Sequence, residues 1–254
     1  MNPITLWFHK LGSPEYFFRF SGRLIPWLAA ACVLVGAWGL WQGLFVAPPD
    51  YQQGESYRII FIHVPSAWMS LFIYIAMCAA GVVGIIWRIK VAEIIAMASA
   101  PIGAAFTLIT LVTGALWGRP MWGTYWVWDA RLTSELVLLF IYLGVIGLYQ
   151  AIEDRRTAAR AASILALVGL VNIPIIHFSV EWWATLHQGS TVNLMGDNAI
   201  HSSMLWPLLA MALATKLFYA FNVLQRARVM LLDAERGKRW ARRMLKLESD
   251  PVAG

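Results

Sequence analysis

Residues 59–87 read IIFIHVPSAWMSLFIYIAMCAAGVVGIIW, and His63 is the one side chain in this stretch that titrates near neutral pH. An α-helix rises 1.5 Å per residue, so about 20 consecutive apolar residues are enough to cross the hydrocarbon core of a bilayer. This run is longer than that. It predicts a membrane-spanning helix that carries a histidine close to its first turn.

Five further runs meet the same length rule. The six candidate spans are 24–47, 59–87, 94–118, 133–152, 161–180 and 203–224. The last one contains Lys216, whose long side chain can reach the interface when it lies near the end of a span. The sequence therefore predicts an all-α integral membrane protein with six transmembrane helices.

The composition agrees with that fold class. Hydrophobic residues make up 59% of the chain and charged residues 13%, and the mean hydropathy is +0.62, whereas a soluble domain is about 25% charged. We exclude a disordered chain, a disulfide-stapled secreted domain and a nucleic-acid-binding module. We expect one polytopic membrane domain over residues 1–254, in which 225–254 form a basic cytoplasmic tail.

The distribution of basic residues predicts the orientation in the membrane. One set of alternate loops, with both termini, carries 16 Lys and Arg residues, and the opposite set carries Arg58, Arg119 and Arg131. Loops rich in Lys and Arg stay in the cytoplasm. Both termini are therefore expected there. The outer loops are then about 47–58, 118–133 and 181–203, and most of the unusual side chains lie in them.

The second outer loop is crowded with aromatic residues. Residues 117–129 read WGRPMWGTYWVWD, and glycine and proline at 118, 120 and 123 are expected to break the spanning helix. We predict a short interfacial helix here, which presents an apolar platform to a large flat ligand. An ordinary aromatic belt at the membrane boundary is the alternative.

Two histidines flank this loop in the predicted topology. His63 is near the outer end of the second span, before Pro65, and His187 lies in the third outer loop. Neutral imidazole is a good iron ligand, and two histidines can fill both axial positions of a haem. Two unrelated interfacial histidines fit the spacing equally well. His177 follows Pro174 inside the fifth span, and we expect it to bond a carbonyl freed by the proline.

The outer arginines lie beside the same loops. A guanidinium pairs well with carboxylates, so Arg58, Arg119 and Arg131 could hold haem propionates. Acidic side chains of the outer loops and lipid phosphates are the alternative partners.

Several sequence blocks resemble one known family. The block Trp122-Gly-Thr-Tyr-Trp-Val-Trp-Asp-Ala-Arg-Leu-Thr-Ser-Glu135 resembles the WWD motif of haem-handling proteins. The blocks Tyr51-Gln-Gln-Gly, Tyr57-Arg-Ile-Ile, His63-Val-Pro and Glu181-Trp-Trp-Ala-Thr-Leu-His187-Gln-Gly-Ser are similar to the CcmC family of the bacterial cytochrome c maturation system. The resemblance covers about residues 20–225.

This resemblance implies a function. Members of the family bind haem b non-covalently at the periplasmic face of the inner membrane and promote its covalent attachment to the chaperone CcmE. CcmD assists them, and the ABC components CcmA and CcmB release the loaded chaperone. Carried over, the axial ligands are His63 and His187.

The resemblance also assigns the residues around the ring. They are expected to be Trp122, Trp126, Trp128 and Asp129, with Tyr125 beside them. Trp117, Arg58 and Arg131 are added as candidate haem contacts because of their chemistry and their position next to the same loops. Relatives often have Trp where this chain has Tyr125, and an aromatic ring is retained. The chain is expected to be an assembly factor and not a catalyst with its own turnover.

The sequence is also compatible with two other classes of function. A permease subunit would need pore chemistry, and the spans offer little besides His177 and Lys216. A redox subunit that carries haem would need histidines deep in facing helices, whereas His63 and His187 are predicted at the membrane edge.

Overall fold

The computed structural model describes residues 10, 12–183, 185, 187 and 200–245. In this part of the chain the regular structure is helical, apart from one isolated β-bridge between Asp50 and Gly54. Six helical segments are long and apolar enough to cross a membrane, which confirms the predicted all-α fold with six candidate spans. Most of the third outer loop and the end of the basic tail lie outside the described residues.

Eight α-helices follow one another along the described chain. They are α1 (Pro14–Trp41), α2 (Ile60–Trp87), α3 (Lys90–Trp122), α4 (Ala130–Ala151), α5 (Arg155–Gly169), α6 (Asn172–Trp182), α7 (Ser202–Ala234) and α8 (Arg239–Met244). A π-helical turn, Gln42–Val46, continues α1, and a 3₁₀ turn, Glu55–Ile59, leads into α2.

Aspartates mark the start of two helices. The Asp129 carboxylate accepts the Leu132 N–H at 2.8 Å, and the Asp154 carboxylate accepts the Thr157 N–H at the same distance. Aspartate is a favoured N-cap because its oxygen satisfies an N–H that has no partner within the helix. These caps fix the first turns of α4 and α5.

The fifth predicted span is interrupted. Its two parts, α5 and α6, meet at residues 170–171. Pro174 has no N–H to donate to the Leu170 carbonyl four residues earlier, and that carbonyl accepts the Ile173 N–H at 3.1 Å instead. The proline therefore ends the regular helical pattern one turn before its own position.

The expected interfacial helix in the tryptophan-rich loop does not form. Gly118 and Pro120, predicted to break the spanning helix, lie within α3, which continues to Trp122. Gly123 ends α3 in a left-handed conformation, with φ of 78°, which costs glycine nothing sterically. Residues 123–129 then run without helix to the Asp129 cap of α4.

The core of the bundle lies between α2, α3, α4 and α5. Tyr74 and Tyr142 are fully buried there, their rings meet edge to face at 5.1 Å, and their hydroxyls donate to the carbonyls of Ala166 and Ser70. Gly103 of α3 lies directly against the Tyr142 ring. Small residues of this kind let membrane helices approach closely. α1 packs mainly along α7.

The two ends of the bundle differ in chemistry. At one end Lys90 pairs with Glu235, and the buried Glu93 lies 3.7 Å from Arg156 and 3.8 Å from Arg160. The start of α2, the end of α3 and the start of α4 meet at the opposite end, where the candidate site lies. Which end faces the periplasm stays a prediction from the charge distribution.

Candidate functional site

His63 is held between two helices. It is the fourth residue of α2, and Pro65, two residues later, lies inside the helix, where it has no N–H to donate to the Phe61 carbonyl. Its ring faces α3: Nδ1 is 3.0 Å from Thr113 Oγ1, and the ring meets Trp117 edge to face at 5.6 Å. A Cβ on Gly114 would lie 3.0 Å from His63 Cε1, so this glycine allows α3 to approach the ring.

The hydrogen bonds of Thr113 fix the tautomer of His63. A threonine hydroxyl has one proton, and Thr113 donates it to the Ile109 carbonyl at 2.6 Å. With that proton committed, the Thr113 oxygen acts as an acceptor toward His63 Nδ1, and the Thr110 carbonyl is a further acceptor for the ring. This arrangement corresponds to the tautomer with the proton on Nδ1. Nε2 is left with a free lone pair, the form in which imidazole binds a metal.

His187 has the same tautomer as His63, but a carboxylate, that of Asp129, accepts its proton. Its Nδ1 is 3.0 Å from Asp129 Oδ2, and the Thr185 hydroxyl donates to that oxygen at 2.7 Å. A carboxylate accepts only, so His187 also carries its proton on Nδ1 and leaves Nε2 free. The ring packs against Trp122 with centroids 4.8 Å apart. Both histidines thus present an unprotonated Nε2.

The electrostatics favour a neutral His187 and an ionised Asp129. Burial lowers the pKa of His187, Asp129 opposes this shift, and the positive charge of Arg131 adds to it. For Asp129, burial alone would raise the pKa, but hydrogen bonds from Leu132, Thr185 and His187 hold it below its ordinary value. The site thus keeps a carboxylate acceptor beside a neutral imidazole.

Arg131 links the two histidines electrostatically. Its charge acts on both His63 and His187, and the two histidines act on each other. The Arg131 Nε donates to Ser179 Oγ at 3.3 Å, so α4 and α6 hold it in place. One turn further along α4, the buried Glu135 interacts with the Arg131 charge. The structure therefore brings both predicted ligands and Arg131 into one region.

Arg58 has other partners. It donates to the Gly43 carbonyl at 2.8 Å and pairs with Glu55. These bonds tie the turn before α2 to the end of α1. A role for Arg58 toward a bound carboxylate would require it to leave these partners.

The aromatic residues of the tryptophan-rich loop fall into two groups. Trp117 and Trp122 pack against the two histidines, whereas Tyr125 and Trp128 are 56% and 77% exposed. Trp126 meets Trp128 edge to face at 5.3 Å, and its buried Nε1 has no hydrogen-bond partner among the described residues. The first group supports the ligands and the second offers free ring surface.

His177 does not make the expected hydrogen bond to a freed carbonyl. The Leu170 carbonyl that Pro174 leaves free is taken by the Ile173 N–H. The His177 side chain is exposed on α6, and its ring contacts Phe178 at 4.7 Å.

The sequence interpretation missed three residues that orient the site. Thr113 and Thr185 bond the two histidine rings, and the Gln53 side chain accepts the Trp117 Nε1–H at 2.9 Å. One signal for Thr113 was available: it precedes Trp117 by four residues and so shares its helix face. Gln53 and Thr185 lie within blocks that were singled out, but nothing in their spacing indicates a partner.

Comparison with known proteins identifies the family. The family model described as heme exporter protein C, CcmC, matches residues 7–242. The chain belongs to the CcmC family. With six helices long and apolar enough to cross a bilayer, this CcmC family member is a multi-pass membrane protein.

Similar CcmC relatives come from bacteria and from a plant. Heme exporter protein C of Escherichia coli strain K12 is 51% identical over 93% of this chain and 96% of its own length. Heme exporter protein C of Bradyrhizobium diazoefficiens is 49% identical over 91% of this chain and 90% of its own length. A protein of Marchantia polymorpha is 50% identical over 77% of this chain and 82% of its own length. It is named a cytochrome c biosynthesis ccmC-like mitochondrial protein. The similarity extends over nearly the whole described bundle.

Proposed function

We propose that this chain binds haem b non-covalently at the periplasmic face of the inner membrane. There it presents haem for covalent attachment to the chaperone CcmE during cytochrome c maturation. His63 and His187 are the axial ligands, Arg131 and Arg58 hold propionates, and the chain acts as an assembly factor without turnover of its own. CcmD assists the transfer, and CcmA and CcmB release the loaded chaperone.

The observation that carries this proposal is the matched state of the two histidines. In each, Nδ1 lies 3.0 Å from an oxygen that can accept its proton, an arrangement that leaves Nε2 as the nitrogen for a metal. Two neutral imidazoles are a donor set that suits haem iron. The family name, heme exporter protein C, points to the same cargo.

The surroundings suit a large flat cargo that is later handed to a partner. The exposed rings of Tyr125 and Trp128 lie close in sequence to Trp122, which packs on His187. Aromatic faces give stacking contact without a covalent bond, worth about 0.5–1.5 kcal/mol per pair beyond burial. We place the docking of the chaperone beside these exposed rings.

Spectra of the purified protein test this proposal. The unchanged protein should show the Soret band of a low-spin haem, and His63→Ala and His187→Ala should each abolish the low-spin spectrum and chaperone loading. His177→Ala is the matched control, because its ring is exposed and outside the site. An unchanged protein without a Soret band, or loss of the spectrum in His177→Ala alone, would overturn the assignment.

Topology tags test the proposed orientation. Reporters fused to either terminus should be active in the cytoplasm, and a reporter inserted beside Tyr125 should be active in the periplasm. The opposite pattern would place the histidines on the cytoplasmic face and exclude delivery to a periplasmic chaperone.

A further inference from the structure

The two candidate iron ligands have unequal hydrogen-bond partners. His187 Nδ1 faces Asp129, a buried carboxylate that accepts two further hydrogen bonds. The partners of His63 are neutral: the Thr113 hydroxyl lies 3.0 Å from Nδ1, and the Thr110 carbonyl also accepts from the ring. The proton of the Thr113 hydroxyl goes to the Ile109 carbonyl, so the Thr113 oxygen acts as an acceptor toward His63.

This difference changes the strength of each imidazole as a donor. A carboxylate that accepts the Nδ1–H draws the proton toward itself and raises the basicity of Nε2. A hydrogen bond that involves an ionised group is roughly twice as strong as a neutral one. His187 is therefore the stronger iron ligand and His63 the weaker.

Resting on the proposed function, we infer that Thr113 is a positioning residue that strengthens His63 as a ligand, and that His63, which has neutral partners only, is still the axial ligand that haem releases first. When the bond between iron and His63 Nε2 breaks, the electron pair stays on Nε2, so no oxidant or reductant is needed. Haem then remains on His187.

The placement of the two histidines agrees with this order of release. His63 lies inside α2 and is held from α3 by Thr113, Gly114 and Trp117. His187 lies beyond the end of α6, in the connection to α7. Haem that leaves His63 first is thus retained by the ligand on the loop side of the site, where Tyr125 and Trp128 are exposed.

Carbon monoxide is a suitable probe of the weaker bond. It binds reduced haem only after one axial histidine has dissociated, so its binding rate reports that dissociation. The experiment uses the purified full-length protein with its haem, reduced with dithionite. Thr113→Val keeps the shape of the side chain but removes the acceptor, and should speed carbon monoxide binding about 10–100-fold, the range for loss of such a partner.

Two variants control for a general effect on the helix. Thr113→Ser restores the acceptor oxygen and should return the rate to that of the unchanged protein. Thr107→Val removes a buried hydroxyl that bonds the Gly103 carbonyl in the same helix, and should leave the rate unchanged. Equal acceleration by Thr107→Val and Thr113→Val would show that the effect is structural and overturn the inference.

The vibrational spectrum of the carbon monoxide complex shows which histidine has left. If His63 is displaced, the remaining ligand is His187, and Thr113→Val should leave the iron–CO stretching frequency unchanged. A shifted iron–CO stretching frequency in Thr113→Val would mean that His63 is retained and would overturn the inferred order of release. An unchanged rate of carbon monoxide binding in Thr113→Val would show that Thr113 does not position His63. Absence of haem from the unchanged protein would instead be a failure of the proposed function.

Discussion

Replacing Asp129 with asparagine is expected to weaken haem binding through the tautomer of His187. One carboxylate oxygen, Oδ1, accepts the Leu132 N–H and caps α4, and the other, Oδ2, accepts from Thr185 and His187. In Asp129→Asn one of these oxygens becomes an NH₂ group, which can only donate. The amide cannot satisfy both sides at once.

Each orientation of the amide has a cost. With its oxygen on Leu132, the NH₂ group faces His187 Nδ1 and drives the proton to Nε2, where it blocks iron. With its oxygen on His187, the cap of α4 is lost at about 1 kcal/mol, and a neutral acceptor replaces a charged one. A hydrogen bond to a charged group is worth about 1.5–3 kcal/mol and one to a neutral group about 0.5–1.5 kcal/mol. The difference is about 1–1.5 kcal/mol, so haem affinity should fall about fivefold to tenfold.

Haem retention per protein, measured from the Soret band during competition with a soluble haem-binding protein, checks this expectation. Asp154→Asn is the matched control, because Asp154 caps α5 through Thr157 in the same way at the opposite end of the bundle. It should change neither haem retention nor thermal stability. Full retention in Asp129→Asn with an unchanged low-spin spectrum would refute the tautomer argument.

Three further changes have expected outcomes. Gly103→Ala should destabilise the protein by about 1–3 kcal/mol, because its Cβ would overlap the buried Tyr142 ring; an unchanged melting temperature in detergent would contradict this. Trp122→Ala should reduce haem retention more than Trp128→Ala, since Trp122 packs on His187 while Trp128 is exposed; Soret absorbance per protein compares the two. The pKa of His187 lies below its ordinary 6.5, so the neutral ring persists through neutral pH and haem should be released only as acidification protonates it. Release that is complete above pH 6.5 in a Soret titration would exclude this.

The fold was largely predictable because the length of an apolar run is a property of the sequence alone. Six spans follow from such lengths, and helix ends were less certain because they depend on competition among local bonds. Pro120 illustrates this: it was expected to break α3, but the helix continues to Trp122 and ends at Gly123. Pro174 does interrupt its span, and the position of the break follows from the N–H that the proline lacks.

The residue types of the candidate site were predictable, but their hydrogen bonds were not. A sequence shows that histidine and aspartate occur 58 positions apart, and only the packing of α4 against the connection after α6 places His187 at Asp129. The tautomers are even harder to predict from the sequence than these contacts. Whether Thr113 accepts from His63 or donates to it depends on where its single proton goes, and the Ile109 carbonyl, one turn earlier in α3, decides that. A main-chain oxygen common to every residue type thus determines which nitrogen of His63 faces the site, and no pattern of side chains could have indicated it.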